Sequence, residues 1–543
     1  MNIRAGSMVR PGHKKQKNID SLIPAKHAQS IFIDESTLHY SQEIDNDPVF
    51  QSFKATARML GFSDCQMHTV ANFAKIYNGN KAVAQTDQGE LVHYVKKLLK
   101  EACRLKGSDI HICPHRDTYS IRFRLFGILR EYDAISVEKG NKMISVIYNV
   151  MCEAGDSSFV KSAAQDGRIS NEQFKPDGVY TIRVHTEPVD VFGSTAGEGT
   201  YVVMRLLFDG IGAFGELDER LSSLGYPDYL RVQIDNLTQK SGLVLISGPT
   251  GHGKSTCLKH VMESMAETYP GRSHFSIEDP PEYPLTGVAQ IRVPSGSLTS
   301  AEERGRAFNE RIIGALRSDA DVLAIGEIRT GEAALTAIDA ARSGHTTWTT
   351  THTDTALGTI PRIATMLRNK GILHPLEEFC DRSVLSGLLH QRLVPVLCDK
   401  CKLSYLKVLN DKKEEIYTAE ERKKVLPPRT IKQLEDVLSD KDFAGICVLG
   451  KGCDACNNTG INKQTVVAEV IEIDDEMLRY FRKGDMESAE EYWLTKLEGR
   501  TFLEHALDRI KAGQIDPNLT SQRLNIPLNN IPAIRKRGVV SEN

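Results

Sequence analysis

A glycine-rich segment near the middle of the chain has the residue types and spacing of a phosphate-binding loop. It matches G-x-x-x-x-G-K-S directly after the apolar run 243–246, and its residues are Gly248, Pro249, Thr250, Gly251, His252, Gly253, Lys254, Ser255 and Thr256. Glycines let backbone N–H groups approach phosphate oxygens, Lys254 reaches the β- and γ-phosphates, and the Ser255 hydroxyl ligates Mg²⁺. Because a helix is predicted from Lys254 onward, this context favours nucleotide binding over a glycine-rich turn that binds nothing.

Carboxylates follow two other predicted strands of the same region. Glu278 and Asp279 come after the run 274–277, and Glu327 comes after the run 321–325. In an open parallel sheet, side chains at the carboxyl ends of strands beside a phosphate loop form the ligand site. The pattern therefore predicts that these carboxylates lie at the chemical end of one sheet.

The elements around these residues alternate between helix and strand, as a parallel sheet requires. Predicted helices cover 254–268, 306–317 and 333–343, and a β-branched strand covers 346–351. His345 and His352 flank that last strand. Taken alone, such histidines are more often structural than catalytic.

Four of the eleven cysteines form two Cys-x-x-Cys pairs, Cys398 with Cys401 and Cys453 with Cys456. Two such pairs bring four thiolates into tetrahedral reach of one Zn²⁺, which would hold together a segment with little core of its own. A redox-active pair is the alternative, but it does not need the second Cys-x-x-Cys. Four sulfur ligands leave no open position on zinc, so we expect a structural site.

The region before the phosphate loop predicts a separate α/β domain that ends near residue 210. Helices are expected over 88–105 and 143–160, strands over 109–112, 119–125, 181–185 and 201–207, and a turn over 165–168. Arg122, Arg124 and Arg130 point outward from the predicted strands. Such a row of guanidinium groups is usually a solvated face of a sheet.

Length and composition limit the class of protein. The chain has 543 residues, 40% of them hydrophobic, and a net charge of -3, which provides no overall attraction for nucleic acid. An apolar run of about 18 residues is missing and the first residues lack the core of a signal peptide, so we expect a cytoplasmic protein. The odd number of cysteines without an export signal argues against a disulfide framework.

Both ends of the chain and one internal stretch are less regular. The basic residues up to about 30 predict disorder, and the spacing of Phe50, Phe53 and Ala57 predicts a helix in the module that follows. Residues 411–441 are highly charged and indicate a helical insert. Residues 473–514 are amphipathic and helical, and we expect weak structure after Pro517.

Taken together, these motifs resemble the secretion-superfamily ATPases of type II secretion and type IV pilus assembly, which are hexameric RecA-like motors. The shared motifs occur in family order at 107–112, 121–130, 165–168, 248–255, 277–283, 316–329, 343–354 and 391–401. The resemblance covers residues 88–510. It implies an α/β fold with a RecA-like P-loop ATPase core, an α/β (PAS-like) domain in front of it, and a zinc-binding insert.

The resemblance also implies roles for individual residues. Glu278 and Asp279 would order Mg²⁺ and water, and Glu327 would act as the base or water-orienting residue. His345 and His352 would sense the γ-phosphate or couple it to the neighbouring subunit. Arginines of the preceding domain would complete the site, and the resemblance does not distinguish the phosphate-binding ones from the structural ones among these four candidates: Arg122, Arg124, Arg130 and Arg183.

The resulting organisation has six parts. We expect a disordered basic tail (1–30), a small partly helical module (31–87), the α/β domain (88–210), the RecA-like core (211–397), the four-cysteine insert (398–460) and a helical C-terminal region (461–543).

The implied function is an ATP- and Mg²⁺-dependent homohexameric motor at the inner membrane. It would associate with the membrane indirectly, through a platform protein, and contact no nucleic acid directly. The zinc motif favours assembly over retraction, and the short region before residue 88 is similar to thin-pilus ATPases of conjugative plasmids. A nucleic-acid translocating RecA-like motor is the alternative, and an ATP-binding scaffold without turnover is disfavoured because Lys254 and Glu327 are both present.

Overall fold

The computed structural model describes residues 27, 30–34, 37–59, 64–68, 88–153, 158–192, 197–208, 215–293 and 301–532. By contacts the chain divides into two compact units, Met1–Val95 and Lys96–Asn543. The expected disordered tail 1–30 lies outside the described residues, apart from residues 27 and 30.

The described residues of the first unit contain a small three-stranded sheet, one helix and the first residues of a second helix. Its elements are β1 (Ile31–Asp34), β2 (Thr37–Ser41), α1 (Pro48–Met59) and β3 (Asp64–His68). Strand β2 pairs antiparallel with β1 and parallel with β3. Phe50, Phe53 and Ala57 are buried on one side of α1, as their spacing predicts for an amphipathic helix.

Residues 88–104 form helix α2, and six antiparallel strands follow in the order β6-β5-β4-β9-β8-β7. The elements are β4 (Gly107–Pro114), β5 (Thr118–Leu125), β6 (Ile128–Ser136), α3 (Val137–Val146), β7 (Gln165–Ile169), β8 (Val179–Asp190) and β9 (Glu198–Phe208).

Two predictions for this sheet domain are wrong. The expected turn at 165–168 is the edge strand β7, which pairs with β8 although its sequence has no apolar alternation. The expected helix 143–160 ends early, because one π-helical turn (Ile147–Met151) leads to an extended Cys152, and Glu153 then pairs with Arg168 of β7.

A seven-stranded sheet forms the centre of the second unit, in the order β12-β11-β13-β14-β10-β15-β18. The elements up to β15 are α4 (Leu217–Leu224), α5 (Asp228–Thr238), β10 (Gly242–Ser247), α6 (Lys254–Thr268), β11 (His274–Glu278), β12 (Ala289–Arg292), α7 (Ala301–Leu316), β13 (Val322–Ile325), α8 (Gly331–Arg342), β14 (Thr346–Thr351), α9 (Thr359–Asn369), α10 (Pro375–Phe379) and β15 (Leu385–Leu397). All neighbouring strands are parallel except β15 and β18.

The apolar run in β10 is continuous because both faces of this sheet are covered by helices. Leu243 and Leu245 pack with residues of α8 and α9. Val244 and Ile246 point the other way, into the cluster formed with α4, α5 and α6. This arrangement leaves the carboxyl ends of the parallel strands at one edge, where the phosphate loop begins.

The C-terminal elements return to the same sheet. They are β16 (Leu403–Ser404), α11 (Tyr405–Leu409), α12 (Ala419–Val425), α13 (Pro428–Glu435), α14 (Asp440–Phe443), β17 (Cys447–Val448), β18 (Ile461–Glu472), α15 (Asp475–Lys483), α16 (Met486–Thr495), α17 (Phe502–Lys511) and α18 (Pro517–Leu524).

Two expectations for the C-terminal region need correction. Residues 461–472 are not helical but form a strand of the central sheet, paired with β15. The residues after Pro517 are ordered as α18, because Asp516 caps the helix by accepting a hydrogen bond from the Leu519 N–H. Proline at the first position is favourable at a helix start. Among the described residues, the helices are too short or too polar for any of them to cross a bilayer.

Helix α5 offers a matched test of this packing. Ile234 is fully buried between α5 and the sheet, whereas Val232 on the same helix is 59% exposed. Ile234→Ala should lower the free energy of unfolding by about 2–5 kcal/mol because it leaves a cavity. Val232→Ala should change it by less than about 0.5 kcal/mol. Urea unfolding of both variants measures the difference, and equal effects would contradict the packing described.

Candidate functional site

The phosphate loop connects the end of β10 to the start of α6. Gly248, Gly251 and Gly253 all have positive φ, of 143°, 75° and 79°. At Gly248 a Cβ atom would lie 2.4 Å from the backbone oxygen of Gln391, so the close approach of β15 requires glycine. Thr250 and Gly251 form the exposed tip of the loop, and Ser255 and Thr256 lie in the first turn of α6.

The ammonium group of Lys254 is buried and points back into the loop. Its Nζ donates to the backbone oxygens of Gly248 at 2.7 Å and Pro249 at 3.1 Å. Burial lowers the pKa of Lys254 to about 8, and the carboxylates of Glu327 and Glu282 oppose that shift. The lysine is thus held where a phosphate would replace two carbonyl oxygens as its partner.

His352 connects Lys254 to Glu327. Its Nε2 lies 2.9 Å from Glu327 Oε1, and its Nδ1 lies 3.1 Å from Lys254 Nζ. A neutral imidazole that donates from Nε2 to the carboxylate accepts a hydrogen bond from the lysine at Nδ1. The ends of β10, β13 and β14 therefore bring together a cation, an imidazole and a carboxylate.

Glu278 and Asp279 lie at the end of β11, on the other side of Glu327. Glu278 Oε1 accepts hydrogen bonds from Ser276 Oγ at 2.9 Å and Gln290 Nε2 at 3.1 Å. Glu278 and Ser255 line one small cavity. A carboxylate and a hydroxyl facing a cavity beside a phosphate loop are oxygen ligands of the kind that Mg²⁺ prefers.

Of the four candidate arginines, Arg183 contacts this acidic segment. It donates to the backbone oxygen of Pro280 at 3.1 Å and lies 3.5 Å from Glu282 Oε1. The other three have different partners in this structure: Arg122 bonds Ser120 Oγ, Arg124 bonds the Gly127 oxygen, and Arg130 bonds the Thr459 oxygen. Which of the four arginines bind phosphate stays a prediction; in this structure only Arg183 of the four contacts the segment after β11.

His345 lies far from the phosphate loop. It precedes β14, and its backbone oxygen accepts a hydrogen bond from the N–H of Gly242 at the start of β10. A strand of six residues separates the two edges of the sheet by about 20 Å. Within one chain, His345 thus lies at the opposite end of the strands from Lys254, and its role in sensing the γ-phosphate or coupling it to the neighbouring subunit stays a prediction.

The His252 side chain of the phosphate loop packs against β15. Its Nδ1 accepts a hydrogen bond from the backbone N–H of Leu393 on β15 at 2.9 Å. Burial, with the positive charges of Arg523 and Arg392, lowers the pKa of His252 to about 3. The neutral ring therefore anchors the loop to β15.

Three further residues complete the surroundings of the loop, and the sequence had assigned none of them a role. Gln391 Nε2 donates to the His252 backbone oxygen at 2.8 Å, and its Oε1 accepts from the Tyr226 hydroxyl at 2.5 Å. Arg329 Nη2 lies 2.8 Å from Glu327 Oε2. Gln391 and Arg329 both lie within motifs shared with the family, at 391–401 and 316–329. Their place in these motifs is the sequence signal that could have identified them.

The four cysteines form one cluster between β15 and β18. Their Sγ atoms all lie within 4.8 Å of one another, and Cys398–Cys453, Cys401–Cys456 and Cys453–Cys456 are each 3.8 Å apart. A tetrahedral zinc with bonds of about 2.3 Å has sulfur–sulfur edges of about 3.8 Å. The backbone N–H of Gly460 points at Cys456 Sγ at 3.2 Å. The donor set and its spacing fit Zn²⁺.

A protein-family model described as Type II/IV secretion system protein matches residues 84–525. The chain belongs to this family. It is a member of the secretion and pilus ATPases, so the predicted superfamily and enzyme class are confirmed.

Relatives of this secretion-system protein include type II secretion proteins and a type IV pilus assembly ATPase. It is 31% identical over 460 residues to the type II secretion system protein E of Dickeya dadantii, covering 83% of this chain and 78% of that relative. It is 30% identical over 443 residues to the type IV pilus assembly ATPase PilB of Thermus thermophilus, covering 78% of this chain and 43% of that relative.

The fold is also shared with a solved structure. The X-ray structure of the Legionella pneumophila ATPase DotB superposes with a TM-score of 0.51 at 18% identity, over 83% of this chain and 96% of that chain. At this identity the similarity shows the fold alone, and it confirms the predicted RecA-like α/β core of this family member.

The pKa of Lys254 predicts how nucleotide affinity depends on pH. The protonated lysine attracts phosphate, and the terminal phosphate of a nucleotide is fully ionised above about pH 7. Because the pKa of Lys254 is about 8, affinity for a fluorescent ADP analogue should be constant between about pH 7 and pH 8. Above that pH, affinity should fall by about tenfold per unit as the ammonium group loses its proton. Glu327→Gln removes a charge that raises this pKa, so the decline should begin at a lower pH. An affinity that stays constant from pH 7 to 10 in both proteins would contradict the assignment.

Proposed function

We propose that the chain is an ATP-hydrolysing, Mg²⁺-dependent motor that drives type IV pilus assembly or a type II-like secretion process. The observation that carries the proposal is the convergence of Lys254, His352 and Glu327 at one edge of a RecA-like sheet. Phosphoryl transfer needs charge neutralisation and a positioned water more than covalent chemistry. These three side chains have the chemistry for both tasks.

Each group at the loop has a proposed part in the reaction. Lys254 leaves the carbonyl oxygens of Gly248 and Pro249 for the β- and γ-phosphates, while Ser255 and the Glu278–Asp279 pair order Mg²⁺ and its waters. Glu327 orients the attacking water and accepts its proton. His352 and Arg329 hold the Glu327 carboxylate from either side, at 2.9 and 2.8 Å.

Arg183 is the proposed connection between the antiparallel sheet domain and the reaction. It already contacts Pro280 and Glu282 beside the Mg²⁺ ligands proposed above. Arg205 on the neighbouring strand β9 lies close enough to Glu282 for the charges to interact. We propose that a bound triphosphate draws Arg183 toward it and that hydrolysis releases it, so that the two domains move against each other.

The finer assignments extend the proposal. We propose a homohexamer that works at the inner membrane on a platform protein, with Zn²⁺ in the four-cysteine cluster. The two Cys-x-x-Cys pairs support an assembly rather than a retraction motor, and within that branch we propose thin-pilus biogenesis. The relative from Thermus thermophilus, a type IV pilus assembly ATPase, supports the pilus branch.

Glu327→Gln tests the proposed chemistry. Loss of the carboxylate should lower the ATP turnover number by about 10²- to 10⁴-fold, as for other general bases. Binding of a fluorescent ATP analogue should persist. Glu332→Gln is the matched control, because Glu332 pairs with Lys370 on the surface of α8 and should leave turnover unchanged. Unchanged turnover in Glu327→Gln would overturn the role of Glu327.

Lys254→Ala in the producing organism tests the process that the motor drives. With the protein at its normal level, surface pili or secretion should be lost, because the phosphate loop no longer binds nucleotide productively. Lys142→Ala is the control, since Lys142 lies on the surface of α3, 3.0 Å from the exposed carboxylate of Glu138. Normal pili and secretion together with lost DNA transfer would instead indicate a nucleic-acid motor.

A further inference from the structure

The hairpin of β5 and β6 reaches from the antiparallel sheet domain to the four-cysteine cluster. Arg130 on β6 donates from Nη2 to the backbone oxygen of Thr459 at 3.1 Å. Thr459 lies three residues after Cys456 and directly before Gly460. Arg130, one of the four arginines that the family resemblance suggests for the site, is therefore in contact with the segment that carries a cysteine pair.

The Thr459 oxygen is held in position by Cys456. Thr459 donates to the Cys456 backbone oxygen from both its N–H, at 3.1 Å, and its hydroxyl, at 2.6 Å. The next N–H, that of Gly460, points at Cys456 Sγ at 3.2 Å. The N–H groups on both sides of the Thr459 carbonyl group are thus bonded to Cys456. The direction of this carbonyl group therefore depends on the position of the Cys456 thiolate.

The charges of the Arg130 guanidinium group and of the cysteine site also favour the contact between Arg130 and Thr459. A zinc ion with four thiolates has a net charge of about -2, which a nearby guanidinium group can offset. Burial lowers the pKa of Arg130, and the negative charge of Cys456 opposes that shift. The arginine is therefore partly desolvated beside a site whose charge stabilises it.

The tip of the same hairpin has a second contact with the C-terminal region. Gly127, with a φ of 84°, leaves room for the Arg523 guanidinium of α18, whose atoms lie 2.8 to 3.0 Å from where a Cβ would be. The hairpin thus rests on α18 at its tip and on the cysteine segment at Arg130. Of these two contacts, the one made by Arg130 reaches the segment that carries the cysteine pair.

We propose that Arg130 is an outer hydrogen-bond partner of the metal site, through which metal binding fixes the β5–β6 hairpin against the ATPase core. The proposal rests on occupancy of the four-cysteine cluster by Zn²⁺, and it is independent of the roles given to Lys254 and Glu327. Metal binding orients the Thr459 carbonyl and adds negative charge, and both strengthen the contact with Arg130. By linkage, Arg130 must strengthen metal binding to the same extent.

The experiment measures both directions of this linkage on the full-length protein. Zinc affinity is determined by competition with a chromogenic chelator, and amide exchange is followed over residues 122–132 with and without zinc. Arg130→Ala should weaken zinc binding about 10- to 100-fold, as loss of outer partners does elsewhere. In the parent protein zinc should slow exchange in the hairpin, and in Arg130→Ala it should not.

Two further variants separate charge from geometry and from general damage. Arg130→Lys keeps the positive charge but loses the guanidinium geometry, so it should recover part of the affinity. Arg116→Ala removes an exposed arginine at the other end of β5 and should behave like the parent protein in both measurements.

The possible failures are distinguishable. If the parent protein binds no zinc, the proposed zinc site and the proposed role of Arg130 are both rejected. If the parent binds zinc but Arg130→Ala has the same affinity and the same zinc-dependent exchange, the metal proposal stands and the role of Arg130 is rejected. If Arg130→Ala folds poorly, the comparison of Arg130→Lys with Arg116→Ala decides the matter.

Discussion

A buried ammonium group at the end of a sheet is the constraint on which this structure depends. Lys254 lies where burial disfavours its charge, and two backbone oxygens, an imidazole and a nearby carboxylate offset that cost. Those partners come from β10, β13 and β14, which are neighbours only because the strand order is β13-β14-β10. The register of parallel strands thus decides which residues surround the nucleotide site.

The sequence was most informative where local pattern and tertiary position agree. Helix α6 and strand β14 have the predicted bounds, because Gly253 marks the start of α6 and a run of threonines around Trp348 forms β14. Lys254, Glu327 and His352 meet because each follows a strand of the same parallel sheet, and parallel strands end at one edge. The cluster of four cysteines was likewise predictable from the two Cys-x-x-Cys spacings, because the chain only has to bring the two pairs together.

Other features depend on partners that are distant in the sequence. Strand β7 has no apolar alternation, and β8 supplies the hydrogen bonds that keep it extended. His345 and His352 are seven residues apart, yet the strand between them places them at opposite edges. Arg130 and Arg183 look alike as exposed arginines of a sheet, and only the folded chain shows one at Thr459 and the other at Glu282.

The pairing of Leu397 with Ile461 means that the segment between them leaves and re-enters the sheet at adjacent positions. Doubling the length of such a loop costs only about 0.6 kcal/mol in closure entropy. Residues added at an exposed position of this segment can therefore leave the order and register of the strands intact. Residues 412–415 of this segment are exposed, so a fluorescent label could be inserted there to follow the protein without disturbing the sheet.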